Sequence, residues 1–372
     1  MIPLFRPKFR TQECLDEIER CLSIGWSGQG FLTNDFESEW KSYTGEKNAI
    51  FVNSASAALH LALESMKLLY KWEDDCEIIS SPLTFVTTNH SILWSGLKPV
   101  LVDVNDALCL SADEVVGAIT SKTRAVIYVA IGGNSSELEK VRDICNERNL
   151  KLILDAAHAA GSRVNSNHMS SFADATCYSF QAVKNLPTAD SGLLAVKDSE
   201  VHEMARRLSW CGISESTYQR TSGNKYKWEY DVEEVGFKEN GNSVMAALAL
   251  VGLRYLDKDN STRREIFKMY QDRLASQTGI KLLGHSNEIE SSRHLVQVLV
   301  ANRQQVIEDL AKEEIGAGVH YRTNTAYPMY AHFAASTTRA SALSAQVLSL
   351  PIYLDLTEQE VNKVCEVILR RL

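Results

Sequence analysis

The first part of the chain alternates short apolar segments with longer segments of helical periodicity, and this alternation constrains the fold more than any other feature. Strand-like apolar runs lie at 49–52, 77–80, 99–103, 125–129 and 151–154. Helix-like runs lie between them at 55–69, 87–94 and 136–148. Short apolar strands separated by helices indicate βαβ units and a mostly parallel sheet covered on both faces. The carboxyl ends of such strands share one edge of the sheet, where ligands bind.

The pattern changes after about residue 221, which indicates a second structural unit. Helical runs follow at 245–255, 261–275, 304–314 and 358–371, with strand-like runs at 295–300 and 318–321. Thr357 and Glu360 have the spacing of a capping box at the start of the last helix. We predict a large α/β domain at residues 1–245 and a small α+β domain at 246–372, with the N-terminal segment packing on the small domain.

Composition excludes several functions. The 372 residues carry 39 Lys and Arg against 47 Asp and Glu, a formal charge of -8, which lacks the basic field that nucleic acid or anionic membranes require. No apolar run reaches the ~18 residues of a membrane span, and residues 1–10 lack the apolar core of a signal peptide. The eight cysteines form no CxxC pair and no HExxH is present, so we predict a cytoplasmic protein without a metal site.

The first segment with candidate chemistry, residues 53–60, follows a predicted strand and opens a helix. Small residues at this junction let backbone N–H groups approach a phosphate, and the helix N-terminus adds positive potential. Ser56 supplies a hydroxyl donor. An ordinary N-capped helix explains the same residues, so this segment alone leaves both interpretations open.

The second segment, residues 152–161, ends an apolar strand with Asp155 at the edge of the sheet. A buried carboxylate is unfavourable without a cation, and a protonated pyridine nitrogen would serve as one. A helix N-cap or a magnesium ligand are the alternatives. His158 follows by about one helical turn and could face the same pocket, although a lone histidine is as often structural.

The third segment, residues 177–187, places Lys184 in an apolar stretch before a turn. A lysine that forms an imine loses the charge that makes its burial unfavourable, and desolvation favours the nucleophilic amine. Ser179 could donate a hydrogen bond to a phosphate. Alone, this segment is better explained by a surface lysine in a loop.

In combination the three segments resemble the fold-type I enzymes that use pyridoxal 5′-phosphate (PLP). Their sequences resemble those of the DegT/DnrJ/EryC1/StrS sugar aminotransferases, whose motifs DAA[HQ]xxG and SFxxxKN appear here at 155–161 and 179–185. The similarity covers nearly the whole chain and includes the family's C-terminal signature at 348–351. It implies an α/β large domain with a mostly parallel seven-stranded sheet between helices, plus a smaller α+β domain.

The resemblance also implies roles for single residues. Lys184 would form the Schiff base with PLP and then move the proton during transamination between the PLP and PMP forms. Asp155 would pair with the pyridine nitrogen, and His158 would lie near the ring edge. Phe85 would stack on the ring, although a core phenylalanine is the plain alternative. The implied phosphate donors are Ser56, the Ala57 backbone N–H and Ser179.

Residues 236–240 resemble the family segment that crosses between subunits. The resemblance implies that Lys238 and Asn240 reach the cofactor phosphate of the neighbouring subunit, which requires a homodimer with composite sites. The alternative for Lys238 is simple exposure to solvent.

The implied activity is transfer of an amino group from L-glutamate to a keto or aldehyde sugar, for an amino sugar of lipopolysaccharide or another surface glycan. The family's dehydratases have histidine in place of the lysine, so Lys184 disfavours that chemistry; a non-catalytic PLP-binding regulator is the other alternative. No GxGxxG follows the first strand, which disfavours a dinucleotide-dependent oxidoreductase.

Two substrates remain open at this stage. One is a nucleotide-linked 4-keto-6-deoxy sugar, and the other is an oxidised octulosonate that would give 8-amino-3,8-dideoxy-octulosonate. His320, Tyr321 and Arg322 are the predicted substrate contacts. Arg322, or Arg293, could bind the carboxylate of an acidic sugar.

Overall fold

The computed structural model describes residues 1–214, 218, 229–285, 289–333 and 337–372. The helices are α1 Thr11–Ile24, α2 Phe31–Thr44, α3 Ala55–Tyr70, α4 Val86–Trp94, α5 Ala112–Ala118, α6 Leu138–Glu147, α7 Ser199–Ser209, α8 Ser243–Leu274, α9 Arg303–Lys312, α10 Thr338–Gln346 and α11 Glu358–Leu369. The strands are β1 Asn48–Val52, β2 Glu77–Ser80, β3 Lys98–Leu101, β4 Thr123–Val129, β5 Lys151–Asp155, β6 Arg163–Val164, β7 Asn167–His168, β8 Ala175–Ser179, β9 Gly192–Val196, β10 Ile280–Leu282, β11 Ile289–Glu290, β12 Val296–Val300 and β13 Val347–Leu350.

A seven-stranded sheet forms the centre of the molecule, in the order β1-β9-β8-β5-β4-β2-β3. Strands β2, β3, β4, β5 and β8 pair in parallel, whereas β9 runs antiparallel to both β1 and β8. The register places Val129 and Cys177 on either side of Asp155, so the carboxyl ends of β4, β5 and β8 meet at one edge. The predicted mostly parallel sheet of seven strands is confirmed.

Both faces of this sheet are buried, because neighbouring residues of each central strand enter different cores. In β5, Leu152 and Leu154 join a core that contains side chains of α2, α6 and α8. Ile153 points the opposite way and joins a core shared with α3 and α7. This two-sided burial explains why the central strands are continuously apolar.

Helix α8 is one continuous helix of 32 residues that includes most of both helical runs predicted at 245–255 and 261–275. Between these runs, Asp259 accepts two hydrogen bonds of 2.6 Å from Arg10, and Asn260 accepts one of 2.7 Å from Asn185. The predicted boundary between residues 245 and 246 falls inside this helix.

The C-terminal part contains a three-stranded antiparallel sheet, β10-β12-β13, with α9 and α11 against its core. The N-terminal segment joins it, since the Ile2 N–H donates to the Glu314 carbonyl at 2.8 Å. Thr357 and Glu360 form the predicted capping box of α11. The predicted strand at 318–321 is wrong: only Gly318 forms an isolated bridge, because the chain then leaves the sheet and enters the cleft described below.

Among the described residues, no helix combines the length and the apolar character that a membrane crossing requires. The same part of the chain shows no cluster of three or more His, Cys, Asp or Glu side chains that could hold a metal ion. All eight cysteine thiols are free, and all but that of Cys211 are buried.

Candidate active site

A cleft with a volume of about 480 Å³ opens at the carboxyl edge of the central sheet. The elements around it are the N-termini of α3 and α4, the ends of β4, β5 and β8, and the segment before α10. Eight of the residues predicted from the sequence line this one cleft: Ser56, Phe85, Asp155, His158, Ser179, Lys184, His320 and Tyr321. Residues separated by up to 265 positions in the chain are thus brought to one place, as the edge of a parallel sheet predicts.

Asp155 ends β5, and its carboxylate is buried with 5% of its surface exposed. The Thr88 hydroxyl donates to Oδ2 at 2.7 Å, and the Ala157 N–H donates to Oδ1 at 3.1 Å. The Thr84 hydroxyl donates in turn to Thr88 at 2.8 Å, since the Thr88 proton already points at Asp155. Burial raises the pKa of Asp155 although these hydrogen bonds oppose the rise. A cationic group beside the carboxylate would stabilise its charged form.

Lys184 lies in the loop after β8, where its N–H donates to the Gln181 carbonyl at 2.8 Å. Burial lowers the pKa of Lys184 to about 8, and the charge of Asp155 only partly offsets this effect. At pH 7 about one-tenth of an amine with that pKa is unprotonated, far more than for an ordinary lysine, and this fraction can act as a nucleophile or a base.

The N-terminus of α3 forms the floor of the cleft. Ser54 is the N-cap, and its Oγ accepts the Ala57 N–H at 3.1 Å. The Ala57 N–H is used by this cap and Ala57 does not line the cleft, and its predicted contact with a phosphate stays a prediction. Ser54, Ala55 and Ser56 line the cleft instead, with the first N–H groups of the helix, which lack partners within a helix.

Gly192 at the start of β9 makes this floor possible. A Cβ atom at Gly192 would lie 2.6 Å from the Ala55 nitrogen and 2.6 Å from the Tyr178 oxygen. No side chain can occupy that space without moving α3 away from β8. The glycine therefore holds the helix N-terminus against Ser179, which is 7% exposed and lines the same cleft.

Phe85 precedes α4 and stays 54% exposed although it lies at the cleft. Its ring centroid is 6.1 Å from that of Tyr321. An aromatic side chain left open beside a cleft offers an apolar face to a planar ligand, which fits the ring-stacking position implied by the sequence.

His158 is held as a neutral ring with a defined tautomer. The Gly132 N–H can only donate, and it lies 3.2 Å from Nδ1, so the ring proton is on Nε2. Nε2 lies 3.1 Å from the Tyr321 hydroxyl. Burial, followed by the charge of Lys184, lowers the pKa of His158 well below its usual range.

Two predicted substrate arginines do not reach the cleft. Arg293 places its guanidinium 3.5 Å from the centre of the ring of Phe267, which belongs to the core against the three-stranded sheet. Arg322 is exposed and donates to the Ala326 carbonyl at 3.2 Å. Each guanidinium thus has a partner within the chain and neither lines the cleft, so their contact with a sugar carboxylate stays a prediction.

Lys238 and Asn240 also lie outside the cleft of their own chain. The Lys238 amine is 3.1 Å from the centre of the Trp210 ring, and burial lowers its pKa. The Asn240 amide donates to the Gly241 carbonyl at 2.9 Å. Their predicted role concerns the cleft of a second subunit, so it stays a prediction.

The sequence reasoning missed Thr84 and Thr88, which support the Asp155 carboxylate. Their spacing of four residues around the start of α4 places them on one face and was an available signal. Nothing in the sequence showed that this face would meet the end of β5, since 67 residues separate Thr88 from Asp155.

The side chains that line the cleft match the chemical groups of PLP. Asp155 is a buried carboxylate in need of a cation, Lys184 is an amine of lowered pKa, and Phe85 offers an open aromatic face. The hydroxyls of Ser56 and Ser179 stand at a helix N-terminus suited to a phosphate. Fold and site together define a PLP-dependent aminotransferase.

The chain belongs to the DegT/DnrJ/EryC1/StrS aminotransferase family, whose sequence model matches residues 9–369. It is 32% identical over 375 residues to dTDP-4-dehydro-2,3,6-trideoxy-D-glucose 4-aminotransferase of Saccharopolyspora spinosa, covering 98% of this chain and 95% of that one. It is 31% identical to the spore coat polysaccharide biosynthesis protein SpsC of Bacillus subtilis, covering 99% and 96%.

Solved structures agree with this assignment. Spr1654 from Streptococcus pneumoniae in its PMP form superposes with a TM-score of 0.92 at 27% identity, covering 100% of this chain and 98% of that chain. The same protein is also solved in its PLP form. The chain is therefore a PLP-dependent sugar aminotransferase that acts in sugar biosynthesis.

Proposed function

We propose that the protein transfers the amino group of L-glutamate to a nucleotide-linked 4-keto-6-deoxy sugar, producing an amino sugar for lipopolysaccharide or another surface glycan. The observation that carries the transfer chemistry is that Lys184, with its pKa lowered to about 8, shares one cleft with the buried carboxylate of Asp155. The relative from Saccharopolyspora spinosa acts on a dTDP-linked keto sugar, which supports the class of acceptor.

PLP, when bound, supplies the electron sink that makes the α-proton of an amino acid acidic. The protein's own groups have separate tasks in this proposal. Asp155 keeps the pyridine nitrogen protonated, and Lys184 accepts and returns the proton as a base of suitable pKa. Ser56 and Ser179 orient the phosphate, and neutral His158 stays at the ring edge without adding charge. Phe85 covers one face of the ring and excludes water from it.

An acidic octulosonate is the less favoured acceptor. Its carboxylate would require a cation, and neither Arg293 nor Arg322 is on the cleft wall. Among the described lining residues, Lys184 is the one lysine or arginine, and the proposal already uses it for the cofactor. The lining residues therefore favour an acceptor whose negative charge lies on a distant diphosphate rather than on the sugar itself.

The test is an assay of 2-oxoglutarate release from L-glutamate by the PLP-loaded protein. We expect turnover with a nucleotide-linked 4-keto-6-deoxyhexose and none with the oxidised octulosonate. Arg322→Ala and Arg293→Ala are the matched variants, and we expect both to leave KM for the accepted sugar unchanged. Turnover with the octulosonate alone, or a KM that rises in either variant, would contradict the proposed acceptor.

A further inference from the structure

The loop that carries Lys184 is anchored by the polar residue that follows it. Gln181 and Asp190, at the two sides of this loop between β8 and β9, are exposed, whereas Asn185 is 6% exposed. The Asn185 amide nitrogen donates at 2.7 Å to Asn260 of α8 and at 2.7 Å to the Ser292 carbonyl. Because a carbonyl can only accept, these bonds fix the amide, and its Oδ1 must find a donor elsewhere.

His294 supplies that donor. Its Nδ1 lies 2.9 Å from Asn185 Oδ1, so the ring proton is on Nδ1. The side chain is 1% exposed. Burial, followed by the proximity of His158 and Lys184, lowers the pKa of His294 well below its usual range. The ring therefore stays neutral, and its one N–H proton belongs to the bond with Asn185.

A column of rings keeps His294 in place. Its centroid lies 5.4 Å from that of Phe5, with planes only 6° apart, and 4.4 Å from that of His158 on the other side. His158 in turn lies 6.0 Å from Tyr321 at the cleft. The N-terminal segment, through Phe5, is thus part of the support of the active site.

We propose that His294 is a positioning residue, whose hydrogen bond to Asn185 holds the loop so that the amine of Lys184 stays inside the cleft. Without this donor, Asn185 Oδ1 would be a buried acceptor with no partner, which is unfavourable. The loop would relieve this by moving towards solvent, and Lys184 would move with its neighbour. The inference rests on the proposed role of Lys184 and adds a residue that touches neither cofactor nor substrate.

Two variants separate the hydrogen bond from the ring. His294→Asn places an amide N–H close to the position of Nδ1 but removes the ring, whereas His294→Phe keeps the ring and removes the donor. The measurement is the pH dependence of Lys184 acylation by acetic anhydride in the cofactor-free protein, followed by peptide mass spectrometry. We expect a midpoint of about 8 in the wild type and in His294→Asn. In His294→Phe we expect a rise towards the ordinary value of about 10.4.

The acylation is measured at a temperature at which thermal unfolding shows every variant to be folded. A loss of stability is then not mistaken for a shift of the acylation midpoint. An unchanged midpoint in His294→Phe, or an equal rise in both variants, would overturn the inference. If His294→Phe does not fold, Asn185→Ala removes the same bond from its other end and should give the same rise; an unchanged midpoint there overturns the inference too.

A second readout follows the reaction with L-glutamate. We expect His294→Phe to lower kcat by about tenfold with KM unchanged, because misplacement of a reacting group affects the chemical step. His294→Asn should retain kcat. The acylation experiment needs neither PLP nor an amino donor, so it tests the role of His294 even if L-glutamate proves not to be the donor.

Discussion

At the scale of single residues, Asp155 and Lys184 are perturbed in opposite directions by the same cause. Burial raises the pKa of the Asp155 carboxyl and lowers that of the Lys184 amine, because it disfavours the charged form of each. A ligand that is cationic beside Asp155 and that bonds to the Lys184 amine removes both penalties at once. PLP does this, and it explains why two costly groups are kept in one cleft.

Thr88 is the residue whose substitution reports on this carboxylate. Thr88→Val removes the hydroxyl that donates to Asp155 at 2.7 Å and should raise the pKa of the carboxyl further. Loss of a hydrogen bond to a charged group costs about 1.5–3 kcal/mol. We therefore expect the protein to bind PLP at least about tenfold more weakly, measured by absorbance titration of the cofactor-free form.

Thr88→Ser is the matched control for this experiment, because it keeps the hydroxyl and removes only a methyl group. It should bind PLP as the wild type does. Equal affinities of Thr88→Val and the wild type would show that the hydroxyl does not support the carboxylate, and weakening in both variants would point to packing instead.

The sequence predicted residues whose chemistry is tied to a local motif, and it missed residues defined by contacts across the fold. Asp155 ends an apolar strand, and Lys184 interrupts an apolar stretch. Both patterns signal a charged group in an unusual environment. His294 has no such signal, since its partner Asn185 lies 109 residues away. The sequence also could not show that the guanidinium of Arg293 packs on Phe267.

At the scale of elements, the N-terminus of α3 separates two serines with different tasks. Ser54 caps the helix by accepting the Ala57 N–H, and Ser56 lines the cleft. Ser54→Ala should lower the free energy of unfolding of the cofactor-free protein by about 1 kcal/mol, the usual loss for an N-cap. Ser56→Ala should leave that free energy unchanged and weaken PLP binding. Chemical denaturation and PLP titration measure the two effects.

The variants Ser54→Ala and Ser56→Ala are matched controls, because each removes one hydroxyl from the same helix end. If Ser56→Ala destabilised the cofactor-free protein as much as Ser54→Ala, or left PLP binding unaltered, the hydroxyl of Ser56 would be structural. The assignment of this helix end as a phosphate site would then lose its main side-chain donor.

The elements also show where periodicity is informative. Strands β1 to β5 were predicted because burial on both faces leaves an uninterrupted apolar run. Helix α8 was predicted as two consecutive helical runs, and it is continuous between them, where Asp259 and Asn260 are each hydrogen-bonded by a distant side chain. The strand expected at 318–321 does not form. Only Gly318 makes an isolated bridge, and His320 and Tyr321 line the cleft instead.

At the scale of the whole molecule, the sequence predicts that two side chains of a second subunit complete the phosphate site of each cleft. Lys238 and Asn240 lie outside the cleft of their own chain. We propose a homodimer in which each chain completes the phosphate site of the other, with these two residues acting across the interface. The proposal also explains how a phosphate is held where the described wall offers mainly hydroxyl and N–H donors.

Mixing two inactive variants tests this arrangement. Lys184→Ala and the double variant Lys238→Ala, Asn240→Ala should each have little activity as homodimers. After subunit exchange, mixed dimers contain one cleft with all native residues, so an equal mixture should recover about a quarter of wild-type activity. The measurement is turnover with L-glutamate after exchange, with size-exclusion chromatography to confirm the dimer.

The control is an equal mixture of Lys184→Ala with Asp155→Ala, both of which change the same chain's contribution to the cleft. No mixed dimer can then contain a native site, and activity should stay absent. Recovery in this control, or none in the test mixture despite proven exchange, would rule out sites shared between subunits.

The fold class was predictable because it follows from alternation along the whole chain, to which many residues contribute. Family membership was predictable because the motifs at 155–161 and 179–185 occur in one order on one kind of fold. The acceptor sugar was not, because the cleft mouth is built from loops whose contacts, such as that of Arg322 with Ala326, depend on the folded chain.

The visible absorption spectrum of the PLP-loaded protein, compared with that of Lys184→Ala, tests whether Lys184 carries the cofactor and whether the cofactor accepts an amino group. We predict a visible band in the wild type that falls when L-glutamate is added, as the amino group passes to the cofactor. Lys184→Ala should bind PLP but lack the band of a lysine-bound cofactor. A wild-type protein that stays colourless with PLP, or a Lys184→Ala variant with the same band and the same response to L-glutamate, would contradict the account.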